Sequence, residues 1–180
     1  MTNYPIVAVF GGSAARPGDS DFEAAIEAGS LLAKAGYQVA TGGYAGIMEA
    51  ASIGAREAGG EAIGVTVPSV FPDRSGANRY ISSEVRTASL TERIHELVSM
   101  SSASMALPGS IGTLTELIVA WNSAFVSRFS DEAAKPVVAV GETWTRLVAD
   151  LGDVLETDSS IVSCFDTVAE AVAHLAERLG

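Results

Sequence analysis

Apolar positions along this chain fall into two alternating kinds of segment. The first kind is short and apolar throughout, as in PIVAVF at residues 5–10. Runs of this kind predict strands at 5–10, 37–41, 62–67, 104–107, 136–140 and 161–165, with a further short strand at 85–88. The second kind is longer and repeats its apolar positions every three to four residues. It predicts helices at 21–35, 45–58, 90–101, 113–126, 143–151 and 167–179. Ser20 and Glu23 have capping-box spacing before the first helix, Gly36 closes that helix, and Gly59 and Gly60 stop the second. Residues 68–83 contain Pro68, Pro72 and Gly76 with little periodicity and read as a long loop, and 127–134 as a polar one. Strands without a polar face are buried on both sides. The expected fold is therefore α/β, a single-domain Rossmann-like parallel sheet with helices on both faces, spanning residues 1–180. No repeat, linker or low-complexity segment divides it.

Composition sharpens this picture. The chain has 180 residues, enough for one domain with a sizeable core, and is 48% hydrophobic and 18% charged, as in a globular protein. No apolar run approaches the roughly 20 residues of a membrane helix. The start, MTNYPIVAVFGGS, has neither a basic nor a long apolar segment of the signal-peptide kind, so a cytoplasmic protein is expected. A formal net charge of −11 argues against nucleic-acid and anionic-membrane surfaces. It leaves room for a small anionic ligand held by backbone N–H groups and one or two arginines. The single cysteine, Cys164, excludes an internal disulfide and a Cys-based zinc cluster, and its apolar surroundings suggest an inert thiol. His95 and His174 lack carboxylate or Cys partners at ligand spacing and read as ordinary helix residues. No cofactor and no metal are expected.

Three Gly-rich turns follow predicted strands: Gly11-Gly12-Ser13, Gly42-Gly43-Tyr44, and the stretch from Pro108 to Thr113. The latter two run almost directly into helices. In an open parallel sheet, ligands gather at the carboxyl ends of the strands. A helix start there offers free N–H groups, and glycine lets an anion approach them. One such turn is an ordinary tight connection; three together point to a phosphate site. It is not a dinucleotide fingerprint, since G-x-G-x-x-G is absent, nor a P-loop, since no G-K-[ST] follows. The two lysines, Lys34 and Lys135, lie outside these turns, against a pyridoxal-phosphate enzyme.

The stretch PGSIGTLTE, residues 108–116, resembles the Pro-Gly-Gly-x-Gly-Thr-x-x-Glu signature of the LOG family, long labelled lysine decarboxylase-like. Many of its members are nucleoside 5′-monophosphate phosphoribohydrolases, including the cytokinin-activating ones. LTERI, residues 90–94, stands where that family has Met-x-x-Arg-Lys, and Arg93 precedes Glu116 by the family's 23 positions. GGYAGIMEAAS, residues 42–52, is similar to its Gly-Gly-Gly-x-x-Gly-Leu-Met segment, and AKPVVAVG, residues 134–141, to its Lys-Pro-Val strand. The resemblance runs in order over nearly the whole chain. The departures are Ser110 for the second Gly, Leu90 for Met, Ile94 for Lys, and Tyr44 and Glu49 for small residues.

The resemblance implies hydrolysis of the N-glycosidic bond of a nucleoside 5′-monophosphate to free base and ribose 5-phosphate. It assigns catalysis to Arg93 and Glu116. Glu116, one turn inside a helix, would face the positive charge that grows on the sugar and activate water, and Arg93 would hold Glu116 and substrate. Gly109, Ser110, Gly112 and Thr113 would hold the 5′-phosphate, beside a wall of Gly12, Ser13, Gly42 and Gly43. On local sequence alone, Thr113 and Glu116 are also an S/T-x-x-E capping box, and the two roles can coexist. Ile118, Trp121 and Phe125 form a helical stripe read as core, part of it a dimer surface, since the family is usually dimeric. The competing expectation is a non-catalytic binder or carrier of a phosphorylated ligand, a nucleotide or the molybdenum cofactor, because a carrier needs the Gly turns but not the Arg–Glu pair.

Overall fold

A computed structural model describes residues 4–70 and 76–180. Part of the predicted loop at 68–83 thus lies outside the described residues. Among the described residues, seven strands form one sheet: β1 (Ile6–Phe10), β2 (Gln38–Thr41), β3 (Ala62–Thr66), β4 (Ser83–Arg86), β5 (Ala103–Ala106), β6 (Val137–Val140) and β7 (Val162–Phe165). Their order is β4-β3-β2-β1-β5-β6-β7, and every neighbouring pair is parallel. The helices are α1 (Ser20–Lys34), α2 (Ile47–Glu57), α3 (Leu90–Met100), α4 (Ile111–Val126), α5 (Glu142–Val154) and α6 (Val168–Leu179).

Strand side chains alternate between the two faces. Val7 and Val9 of β1 join α1, α2 and α6 in one core, which contains Phe22, Leu32, Ile47 and Leu175. Ala8 and Phe10 join α3, α4 and α5 in the other, with Leu97, Leu117, Trp121 and Trp144. Burial on both faces explains why the central strands carry no polar alternation, whereas the edge strand β4, SEVR, is largely exposed. Strand order reverses between β1 and β5, and at such a switch point the loops diverge and open a crevice at the carboxyl ends.

Two expected capping boxes do not form. The box at Ser20 and Glu23 does not form: Ser20 is already helical and Asp19 occupies the N-cap. The Asp19 carboxylate turns back to accept from Arg16 N–H at 2.8 Å. Likewise α4 begins at Ile111, two residues earlier than expected, with Ser110 extended at its N-cap. Thr113 is therefore its third residue rather than its cap, and Glu116 lies in the second turn. The helix dipole, which fades beyond the first turn, does not govern Glu116. A complete box does form at Thr167 with Glu170, ahead of α6.

Candidate functional site

Ser89 caps α3, its side chain accepting from Glu92 N–H at 3.1 Å, and this fixes Arg93 one turn into the helix. From there the Arg93 side chain passes beneath the carboxyl ends of β2 and β3. Its Nε donates to Val65 O at 2.9 Å, its Nη1 to Glu116 Oε1 at 3.1 Å, and its Nη2 to Met48 Sδ at 3.6 Å. The Tyr44 ring lies 5.9 Å from the guanidinium carbon, and the Tyr44 hydroxyl accepts from Val67 N–H at 2.9 Å. Arg93 and Glu116 are 8% and 7% exposed. Burial pushes the Glu116 carboxyl above its ordinary pKa, while the charge and hydrogen bond of Arg93 pull the other way without cancelling it. Oε2 of Glu116 takes no hydrogen bond, and among the described residues no fully buried side-chain oxygen lacks a partner, so Oε2 is the edge open to a ligand or water.

The turn at Gly42 and Gly43 is built around this pair. A β-carbon on Gly42 would overlap Arg93 Nη2, so only glycine leaves room for the guanidinium. Gly43 donates its N–H to Thr41 Oγ1 at 3.0 Å, and its carbonyl accepts from Asn78 N–H at 2.7 Å. Asn78 Nδ2 also donates to the Tyr44 carbonyl at 3.0 Å. Both glycines are buried, and the structure sets them against Arg93 and their own neighbours. Gly42→Ala is expected to displace Arg93 and cost about 1–3 kcal/mol, as overpacking does. A thermal melt unchanged from the parent protein would contradict that packing.

The start of α4 is of another kind. Gly109, Ser110, Ile111 and Gly112 are exposed. The Ser110 hydroxyl makes no cap bond, and the first intrahelical bond is Leu114 N–H to Ser110 O at 3.0 Å. The N–H groups of Ile111, Gly112 and Thr113 therefore have no partner within the helix. Thr113 is 3% exposed and its hydroxyl packs beneath Gly109, where a β-carbon would overlap it. That hydroxyl makes no hydrogen bond among the described residues and is not sealed from solvent. Gly12 joins this turn, donating its N–H to Pro108 O at 3.0 Å and accepting from Ile47 N–H at 2.9 Å. Ser13 is exposed beside it.

A cavity of roughly 820 Å³ opens above β1, β5 and β6, lined by Gly12, Ser13, Gly109, Ser110, Glu142 and Trp144 among others. Arg93 and Glu116 are not in its lining; they lie toward β2 and β3. The start of α4 reaches both places, with Ser110 at the cavity and Glu116 at the pair. Sequence reasoning missed the wall at 141–144, although Gly141 after an apolar strand was a fourth turn of the same kind. It also missed Met48, Val65, Tyr44 and Asn78 as partners of the pair or of its turn. At the departures from the LOG pattern, Ile94 packs into the core on the α4 side and Leu90 is exposed. The stripe on α4 divides: Trp121 is buried, its Nε1 donating to Asp158 O at 3.1 Å, whereas Ile118 is 37% exposed. Phe125 lies edge-on to the exposed Phe129. Cys164 is half-buried, and burial raises its thiol pKa. Among the described residues, no group of His, Cys, Asp and Glu is arranged to hold a metal ion, and no helix is long and apolar enough to cross a membrane.

A doubly wound parallel sheet, with an open helix start at its switch point, defines a Rossmann-like α/β protein. The chain belongs to the LOG family: the model of the SLOG cluster4 family matches residues 4–153. It is 30% identical over 159 residues to the cytokinin riboside 5′-monophosphate phosphoribohydrolase of Mycobacterium tuberculosis, covering 83% of this chain and 82% of that one. Among solved structures it is similar to the molybdenum cofactor binding protein of Rippkaea orientalis, at 25% identity and a TM-score of 0.79 over 100% of both chains. It is also similar to the molybdenum cofactor carrier protein of Chlamydomonas reinhardtii, at 25% identity and a TM-score of 0.78 over 98% of both.

Proposed function

We propose that this protein hydrolyses the N-glycosidic bond of a nucleoside 5′-monophosphate, giving a free base and ribose 5-phosphate. The observation that carries this reading is the buried ion pair of Arg93 on α3 with Glu116 on α4, the helix whose open start offers an anion site. The 5′-phosphate docks on the N–H groups of 111–113 and the Thr113 hydroxyl, placing the sugar near Glu116. The C1′–N bond breaks with its electron pair going to the base, and positive charge spreads over C1′ and the ring oxygen. The ionised Glu116 stabilises that charge through Oε2 and takes the proton of the water that adds at C1′; the departing base takes up a proton in turn. Arg93 holds Oε1, keeping the carboxylate aimed and favouring its charged form. The similarity to a curated phosphoribohydrolase over most of both chains supports the same chemistry.

The phosphate is essential to this account, since the open N–H groups have no other purpose in the reaction. Adenosine 5′-monophosphate is expected to release base far faster than adenosine. Comparable rates on the two would sink the phosphate site.

A second reading, a non-catalytic carrier of a phosphorylated ligand, draws on one observation. The cavity of roughly 820 Å³ excludes Arg93 and Glu116 from its lining, so a ligand can fill it without meeting the pair. The two solved structures named above are a molybdenum cofactor binding protein and a molybdenum cofactor carrier protein. Retention of the pair favours the hydrolase.

We further propose a homodimer. Ile118 and Phe125 on α4 lie beside Leu155 at a shallow cavity, and Phe129, 79% exposed, stands next to Phe125. Contiguous apolar surface of this kind marks an interface. Light scattering at micromolar concentration is expected to give twice the chain mass, and a monomer mass would count against it.

A further inference from the structure

At the opposite end of the sheet from the Gly-rich turns, two adjoining cavities open at the amino ends of β5, β6 and β7. The larger, about 610 Å³, lies between α3 and α4 with walls of Val98, Val119, Ala120 and Val137. Ser104 of β5 also lines it and is 4% exposed. The Ser104 hydroxyl makes no hydrogen bond among the described residues, and no side-chain oxygen there is sealed without a partner, so it opens into the cavity. Water or a ligand group in the cavity can therefore hydrogen-bond to it. The smaller cavity, about 190 Å³, shares Lys135, Ala124 and Val137 with the first and adds Arg128, His174 and Arg178.

The charge here runs against the rest of the molecule. The chain has a net charge of −11 and only 11 lysines and arginines. Among the described residues, three of these, with both histidines, line the two cavities, and Glu132 is the one carboxylate in the lining. Arg128 is neutralised by Asp158 at 2.5 Å. Lys135 Nζ donates to the carbonyls of Val98 and Ser99 at 3.0 and 2.8 Å, which leaves one of its three protons free. Arg178 has no ion-pair partner among the described residues. Two available cations, Lys135 and Arg178, thus face one carboxylate.

We propose that these cavities form a second small-molecule site, for an organic carboxylate with an apolar body. The carboxylate head would pair with Lys135 and Arg178 and accept from the Ser104 hydroxyl, and the body would lie against Val119, Ala120 and Val137. A single excess positive charge suits a monoanionic carboxylate better than a dianionic phosphate. The site is separate from the Arg93–Glu116 pair and does not rest on the proposed hydrolysis.

Benzoate is the probe. In a titration of the whole protein followed by ¹H–¹⁵N NMR, saturable shifts are expected at Ser104, Ser123 and Lys135. Arg178→Gln, on the exposed side of α6, is expected to weaken binding about tenfold by removing one charge-assisted pair, with an unchanged melting temperature. Ser123→Phe, from the exposed side of α4, fills the cavity and is expected to abolish the saturable shifts. Shifts that never saturate, shifts confined to 109–113, or full-strength binding by Arg178→Gln would each overturn the proposal.

Discussion

Glu116→Gln is expected to release base from a nucleoside 5′-monophosphate about 10²–10⁴-fold more slowly than the parent protein. That corresponds to about 3–5 kcal/mol of barrier. Gln is nearly the same size and keeps an oxygen to accept from Arg93 Nη1, so the fold should survive. The start of α4 should survive too, because Ser110 and not Thr113 stands at its N-cap. What disappears is the negative charge opposite the forming sugar cation. Monophosphate binding, which uses the N–H groups of 111–113, should persist. The pH profile gives a second readout. Burial raises the Glu116 pKa, so the group takes up its proton at a higher pH than an ordinary carboxylate. Base release needs the ionised form, and its acid limb should therefore begin above the usual carboxylate range and be absent in the Gln variant. Wild-type rates in Glu116→Gln would leave the carboxylate with a structural role only.

Arg93→Met is expected to destabilise the fold by about 3–5 kcal/mol, because it strands a buried carboxylate without its counter-charge. For a chain of this size that lowers the melting temperature by roughly 6–20 °C. The Val65 carbonyl loses its 2.9 Å donor at the same time. Replacing both partners, Arg93→Met with Glu116→Leu, should recover much of the loss, since an apolar pair removes the uncompensated charge. Thermal melts of the single and double variants decide it. A single variant that melts with the parent protein would show that the pair is not coupled in the folded state.

The central strands were legible because they are apolar on both faces, unlike the polar edge strand β4, and the helices because their stripes repeat with helical period. Every predicted element has a counterpart, with boundaries shifted by a few residues. The start of α4 was read two residues late because Thr113 and Glu116 mimic a capping box, whereas Ser110, among glycines, carries no periodic signal. The pairing of Arg93 with Glu116 came from family spacing and not from local pattern. What surrounds it was invisible in sequence: Val65 and Met48 are 28 and 45 positions from Arg93. Only the fold brings them within reach, and nothing local distinguishes Met48 from any buried helix residue. Gly42 was read as a place for a ligand to approach; that its missing β-carbon also makes room for the guanidinium of Arg93 was not legible. The cavity above β1, β5 and β6 depends on how three loops diverge at a switch point, which no single segment encodes.

The central claim is that the pair turns over a bound nucleotide rather than merely standing beside it. The direct measurement is incubation of the protein with AMP, GMP, CMP and UMP in turn, with chromatographic assay for free base and ribose 5-phosphate, and Glu116→Gln in parallel. The account predicts that at least one monophosphate yields base and ribose 5-phosphate in equal amounts, and that the Gln variant yields almost none. Tight binding of a monophosphate with no base released from any of the four would contradict it and leave the carrier reading standing.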